Sequence, residues 1–312
     1  MISILMPVYN GEKYIADSIN SISSQSFRQF ELLIYDDASV DKTKNIVQKF
    51  IKKDSRVKLF YGKKNIKQPN ALNYLLTKAK YDLIAINDSD DISHPQRLLK
   101  QLIFLQSNKN IGMVGSYANI IDENSKVIRK IKYPLSSKLI NYRLSVSNCF
   151  AQSSVMFRKK ILKRVGFFRE IFDPAQDYDM WCRFSLHTNL ANLPEYLIDY
   201  REHFDSSSNL RRDDVFFKSQ FIKINYKFQK KNKKDLIEIR NIKTIDKCLI
   251  ENKLELKQIK LLTIKREFKF SQIAYNFKVK NISKFLRIFL DLFIESPKFM
   301  LKKIFEFYQK SS

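Results

Sequence analysis

Residues 87–91 read Asn-Asp-Ser-Asp-Asp, with three carboxylates in four positions directly after the short apolar run Leu83-Ile84-Ala85-Ile86. Like charges this close repel one another unless a cation sits among them. A hard divalent ion answers that need, since Mg²⁺ or Mn²⁺ held by one or two carboxylates keeps its other positions for water and phosphate oxygens. The competing reading is an acidic turn that caps the next helix, because Asp and Ser are ordinary turn and N-cap residues. For the motif in isolation that plainer reading is the stronger one, so its neighbours must decide.

Those neighbours are set by the elements around them. Residues 1–117 alternate short apolar runs with helical patterns. Strands are expected at Ile2–Val8, Glu31–Tyr35, Val57–Tyr61 and Leu83–Asn87. Helices are expected at Tyr14–Ser24, Asp41–Lys53 with Asp41 as N-cap, Asn70–Ala79 and Pro95–Gln106. This βαβ rhythm argues for a mostly parallel sheet with helices on both faces, in which ligands bind beyond the carboxyl ends of the strands. Tyr9-Asn10, Asp36-Asp37 and Asp88–Asp91 all fall at such ends. Residues 118–200 are less regular. A hairpin is expected from Ile120–Asp122 to Val127–Ile131, a strand at Ser153–Phe157, a helix at Asp177–Ser185 and a last strand at Leu197–Tyr200.

The chain has 312 residues, 44% hydrophobic and 29% charged, which is the composition of a folded protein and excludes a disordered one. It has no apolar run of about 18 residues to span a membrane. Its first residues carry neither the basic region nor the cleavage site of a signal peptide. Cys149, Cys182 and Cys248 are odd in number and widely spaced, which fits a reducing cytosol and neither a disulfide framework nor a zinc site. The net charge is +25, and from Arg211 onward 26 Lys and Arg face 11 Asp and Glu. After about Asn209 the texture turns to Phe, Ile and Lys, with amphipathic helices expected at Ser283–Ile294 and Phe299–Tyr308.

Four segments now stand in order: Pro7-Val8-Tyr9-Asn10, Tyr35-Asp36-Asp37-Ala38-Ser39, Asn87–Asp91 and Ala175-Gln176-Asp177-Tyr178-Asp179-Met180-Trp181. Arg97-Leu98 and Ser154-Val155-Met156-Phe157-Arg158 lie between them. Together they resemble the family 2 glycosyltransferases of bacterial surface-polysaccharide type, from Ile2 to about Ser208. The resemblance implies an α/β, GT-A fold (the nucleotide-diphospho-sugar transferase fold) with a mixed, mostly parallel central sheet. It places a catalytic domain at 1–208, split into a nucleotide-binding half (1–117) and an acceptor half (118–208), ahead of a basic helical extension at 209–312. It further implies an inverting transfer from a nucleotide-sugar donor, by preference UDP-linked, to a hydroxyl of a surface glycan or lipid-linked acceptor.

The resemblance also assigns residues. Pro7, Tyr9, Asn10 and Glu12 would line the nucleotide pocket, with the Tyr9 ring suited to stacking. Asp36 and Asp37 would contact base and ribose, although an Asx turn explains such a pair equally well. Asp88 and Asp90 match the DxD positions around Ser89, where they would hold the donor and a Mn²⁺ or Mg²⁺ ion, with Asp91 an alternate ligand. Asp177 matches the general base, and Asp179 is expected to pair with Arg183 at i+4. His203 matches a late histidine that completes the metal shell or touches the diphosphate; a surface histidine is the plainer alternative.

Three positions depart from the family pattern. Gln176 replaces an acid, Lys67 a glycine, and Gln152 a histidine. Lys67 would approach a phosphate or be solvated. The sequence leaves two rivals open: a catalytically degenerate scaffold acting as a basic binding protein, and a nucleotidyltransferase. The latter is disfavoured because Tyr9-Asn10-Gly11-Glu12 offers one glycine and an acid where a phosphate loop is wanted. The basic tail suits packing on the domain or an anionic membrane surface. Nucleic acid is not expected, given the acidic rim. The expected location is cytoplasmic, with peripheral association on the cytoplasmic face of the inner membrane as the alternative in which the tail binds that surface.

Overall fold

The structure, a computed structural model, describes residues 1–203, 206, 210–240 and 289. All that follows belongs to the first of two units in the chain, Met1–Ile245. The helices expected at 283–294 and 299–308 lie outside the described residues, Phe289 apart.

Strands β1 (Ile2–Val8), β2 (Phe30–Asp36), β3 (Val57–Tyr61) and β4 (Leu83–Ile86) pair in parallel in the order β3-β2-β1-β4. Helices α1 (Ile15–Ser23), α2 (Thr43–Ile51) and α3 (Lys67–Lys78) connect them. Every residue of β1 and β2 is buried, because helices cover both faces, and this is why the strands read as apolar runs rather than alternations. Ile15, Ile19 and Ile22 of α1 share one helical face and are fully buried in that core.

Beyond β4 come β5 (Ile92–Ser93), α4 (Arg97–Ser107), β6 (Ile111–Ile121), β7 (Val127–Ile131), α5 (Ser137–Leu144), β8 (Met156–Arg158), α6 (Leu162–Val165), α7 (Gln176–Ser185) and β9 (Asn189–Arg201). The sheet continues β4-β8-β6-β9-β5. β8 is antiparallel to both β4 and β6, β6 and β9 run parallel, and β7 closes the expected hairpin on β6. The strand expected at Ser153–Phe157 is instead a 3₁₀ turn, Gln152–Ser154, followed by β8. The turn presents Gln152 and Ser153 to the loop after β4. The last strand is 13 residues long and not four. Its register shifts opposite Ser116–Tyr117, where Pro194 and Glu195 are extra residues that broke the apolar pattern.

Two further helices, α8 (Arg212–Asn232) and α9 (Leu236–Arg240), complete the described part of this unit. Phe221, Ile222 and Tyr226 of α8 are buried, and the Tyr226 hydroxyl sits 2.8 Å from the Ser185 hydroxyl of α7. α7 itself is anchored by Trp181, which is fully buried among the rings of Phe150, Phe157, Phe168 and Phe184. That anchor fixes where the amino end of α7 points. Among the described residues, no helix is long and apolar enough to cross a membrane.

Candidate active site

A cavity of about 490 Å³ opens beyond the carboxyl ends of β1, β2 and β4. Pro7, Tyr9, Asn10, Asp37, Lys67, Asp88, Ser89, Asp90 and His203 all line it. Its walls are stapled loops. Asn10 adopts a left-handed φ of 50°, which Asn tolerates. Its side chain accepts from Val40 N at 3.0 Å, and its own N–H reaches Ser39 Oγ at 2.9 Å. A Cβ on Gly11 would meet Val8 Cγ2 at 2.6 Å, so only glycine lets this loop close down. Tyr9 is 52% exposed at the cavity and offers a free ring face.

Asp37 and Lys67 explain each other. Asp37 accepts the backbone N–H groups of Ile66 (2.7 Å) and Lys67 (2.9 Å), which caps α3 from a distant strand and starts the helix three residues before the expected Asn70. Burial raises the Asp37 carboxyl above its ordinary value. Lys67 has φ 68°, a left-handed conformation that glycine adopts freely and that costs other residues about 1–2 kcal/mol. Lys67 carries that strain while lining the cavity, 3.6 Å from Glu170.

The acidic loop is pinned from beneath by two buried arginines. Arg97 is fully buried; it donates to Asn87 Oδ1, Ser93 Oγ and the Ile86 carbonyl at 3.0, 2.7 and 2.7 Å. Burial lowers its pKa to about 9. Arg201 gives its backbone N–H to Asp91 Oδ1 (2.8 Å) and its Nε to the Asp90 carbonyl (2.8 Å), and its guanidinium lies 4.4 Å from the Tyr14 ring centre. Asp88 N–H is held by Ser153 Oγ at 2.8 Å. These bonds leave the Asp88 and Asp90 side chains facing the cavity. Burial, then the neighbouring charge of Asp90, pushes the Asp88 carboxyl up to about 7. His203 Nε2 lies 3.0 Å from Asp90 Oδ2.

Asp177 is the second residue of α7, outside the cavity wall but close enough that its charge helps raise Asp88. Its Oδ2 accepts from Asn148 Nδ2 at 2.7 Å. Burial pushes its carboxyl up to about 6, opposed by the backbone N–H groups at the helix start. Asp179 faces the other way and bonds Arg183, as expected.

Besides Asp177, three expected site residues do not line the cavity. Glu12 turns back, and its Oε2 accepts from Lys42 N at 2.8 Å, so it braces the start of α2. Asp36 is 3% exposed and closes a local turn by accepting from Ser39 N, three residues on, at 2.9 Å. Asp91 is 1% exposed, with its backbone-facing Oδ1 held under the rim by Arg201 N and its other oxygen buried without a hydrogen bond. Asp41 also moves: it bonds Thr43 N one residue ahead of the helix's N-cap, Lys42, rather than being the N-cap itself. Gln68, Tyr14, Asp173 and Arg211 line the cavity without any signal in their local sequence. Arg211, at the head of the basic segment, is bound to Asp173 and to Asp214 Oδ2 at 3.0 Å.

No three His, Cys, Asp or Glu side chains among the described residues form a closed metal site. Asp90 beside His203 is instead a two-donor set, which fits an ion that takes its other ligands from water and phosphate.

This fold and rim define a GT-A glycosyltransferase. The solved structure of S. aureus TarS in complex with UDP-GlcNAc superposes with a TM-score of 0.58 at 17% identity, over 92% of this chain and 90% of that one. The mannosyltransferase PcManGT of Pyrobaculum calidifontis, in complex with GDP-Man and Mn²⁺, gives 0.56 at 16% identity, over 95% and 81%. Residues 3–166 match the model of Glycosyl transferase family 2. The O-antigen biosynthesis glycosyltransferase WbnJ of Escherichia coli is 37% identical over 214 residues, 66% of this chain and 82% of that one. An uncharacterized glycosyltransferase of Haemophilus influenzae is 28% identical over 92% of this chain and 97% of its own length. The chain belongs to glycosyltransferase family 2 and is a glycosyltransferase.

Proposed function

We propose that this enzyme transfers a sugar, with inversion, from a UDP-linked donor to a hydroxyl of a surface glycan or lipid-linked acceptor. The observation that carries the reading is Asp177. It sits at a helix start beside Asp88, partly desolvated, with its carboxyl pushed up to about 6. A base needs a proton affinity near the working pH, and this one is tuned toward it. Asp177 takes the proton of the acceptor hydroxyl. The acceptor oxygen bonds the anomeric carbon from the face opposite the leaving group, and the bond to the diphosphate breaks with its electrons going to the phosphate oxygen.

Asp37, Lys67 and Tyr9 hold the nucleotide, while Asp88 and Asp90 face its ribose and diphosphate. Asp90 and His203 would hold a Mn²⁺ or Mg²⁺ ion, which supplies positive charge to the departing diphosphate. The UDP choice draws on the nucleotide bound to TarS, and the surface-glycan acceptor on the name of WbnJ. The basic segment from residue 209 would rest on the anionic inner face of a membrane, near a lipid-linked acceptor.

The test is nucleotide release from a panel of UDP-, GDP- and dTDP-sugars with Mn²⁺ and with chelator. Metal-dependent release from one donor class supports the reading. No release from any donor leaves a binding scaffold instead.

A further inference from the structure

Three glutamines surround Asp88, and their amides are ordered. Gln68 Nε2 and Gln152 Nε2 both donate to Asp88 Oδ1, at 2.9 and 2.7 Å. An ionised carboxylate only accepts, so with Asp88 ionised both amides turn their nitrogens toward it and their oxygens away. Those oxygens face Gln176, whose Nε2 donates to Gln68 Oε1 at 2.7 Å and reaches Gln152 Oε1 at 3.5 Å. The position therefore requires a donor. Gln152 and Gln176 are 7% and 2% exposed, so water does not substitute. Gln176 Oε1 is buried with no partner. A buried amide with its own oxygen stranded is held there for its nitrogen.

We propose that Gln176 is a positioning residue for the donor site. It fixes the direction of the Gln68 and Gln152 amides, so that Asp88 spends Oδ1 on two N–H groups and leaves Oδ2 to accept from the bound nucleotide. The inference rests on the reading of Asp88 as a donor contact. It accounts for a neutral residue where an acid is the family pattern. A glutamate at 176 would face two carbonyl oxygens, and relieving that clash means turning both amide oxygens onto Asp88.

The test titrates the full-length protein, with Mn²⁺ present, with whichever of UDP, GDP and dTDP the wild type binds tightest. Gln176→Glu and Gln176→Leu are compared with Asp88→Asn, and melting is read on the same samples. Both Gln176 variants lose the N–H, so Gln176→Leu is expected to weaken binding about tenfold, as for one hydrogen bond in a charge-assisted network, and Gln176→Glu at least as much, because it also turns the amide oxygens onto Asp88. Weakening by Gln176→Glu alone would assign the effect to added charge and overturn the inference. Lowered melting with affinity kept within about twofold would also overturn it, since a purely structural role predicts that outcome. Gln68→Met, at a half-buried position, gives the same reading if the Gln176 variants do not fold: unchanged affinity there, with affinity lost in Asp88→Asn, refutes the relay. If Asp88→Asn binds like wild type, or no nucleoside diphosphate binds, the donor-site reading itself fails.

Discussion

Asp177→Asn separates chemistry from binding and from stability. The amide keeps an oxygen for Asn148 Nδ2, now 2.7 Å from Oδ2, but cannot take a proton. General-base catalysis contributes about 10²–10⁴-fold, so turnover should fall about 10³-fold while donor affinity stays within about twofold. The stability effect has the opposite sign. The native carboxyl, at about 6, lies above its ordinary 3.8, so the native state binds more protons between those values. Its contribution falls as pH rises through that window and is flat above it. Two pH units at about 1.4 kcal/mol each amount to about 3 kcal/mol of destabilisation above pH 7. The Asn148 bond is already contained in that shift, so the variant, which resembles the neutral acid, should be about 3 kcal/mol more stable at about pH 7.5. The gain should shrink below about 1 kcal/mol near pH 4, where the native carboxyl is protonated and the unfolded one is only about half ionised. Nucleotide-release kinetics and urea unfolding at the two pH values measure both effects. Turnover within about tenfold of wild type, or a loss of stability at pH 7.5, would refute the reasoning.

Other consequences are as direct. Arg97→Met strands Asn87, Ser93 and the Ile86 carbonyl in the core; urea unfolding should show a loss of about 3–5 kcal/mol. Lys67→Gly relieves a left-handed φ while adding chain freedom, so melting should put its stability within about 1 kcal/mol of wild type, whereas nucleoside-diphosphate affinity falls several-fold. Asp91→Asn keeps an acceptor for Arg201 N, and calorimetry should find metal-dependent binding within about twofold of wild type, because Asp91 lies beneath the rim.

The nucleotide-binding half was legible because its strands are buried on both faces and their carboxyl ends carry clustered acids. Discriminating among those acids was not possible from sequence. Asp90 and Asp91 are adjacent and chemically alike, and only Arg201, more than a hundred residues away, turns one under the rim. Asp36 and Asp37 divide in the same way: one closes a local turn and the other caps a distant helix. Lys67 looked like an arbitrary departure until its φ showed what the position demands. Gln152 and Gln176 stood out in the sequence only as departures from the family pattern; that they join Gln68 in one relay was not legible, since the three are neutral, far apart, and brought together only by the tertiary fold. β9 hid its length behind Asn189, Asn192 and the Pro194-Glu195 shift. α5 hid because Leu139 and Tyr142 are exposed at 56% and 70%, which blurs its helical stripe.

The central claim is that Asp90 holds the donor diphosphate through a divalent ion. Calorimetric titration of a nucleoside diphosphate into wild type and Asp90→Ala, with Mn²⁺ and with chelator, tests it most directly. Binding that requires Mn²⁺ in the wild type and is lost in the variant is the expected result. Equal affinity with and without metal, or an unchanged titration in Asp90→Ala, would contradict the account.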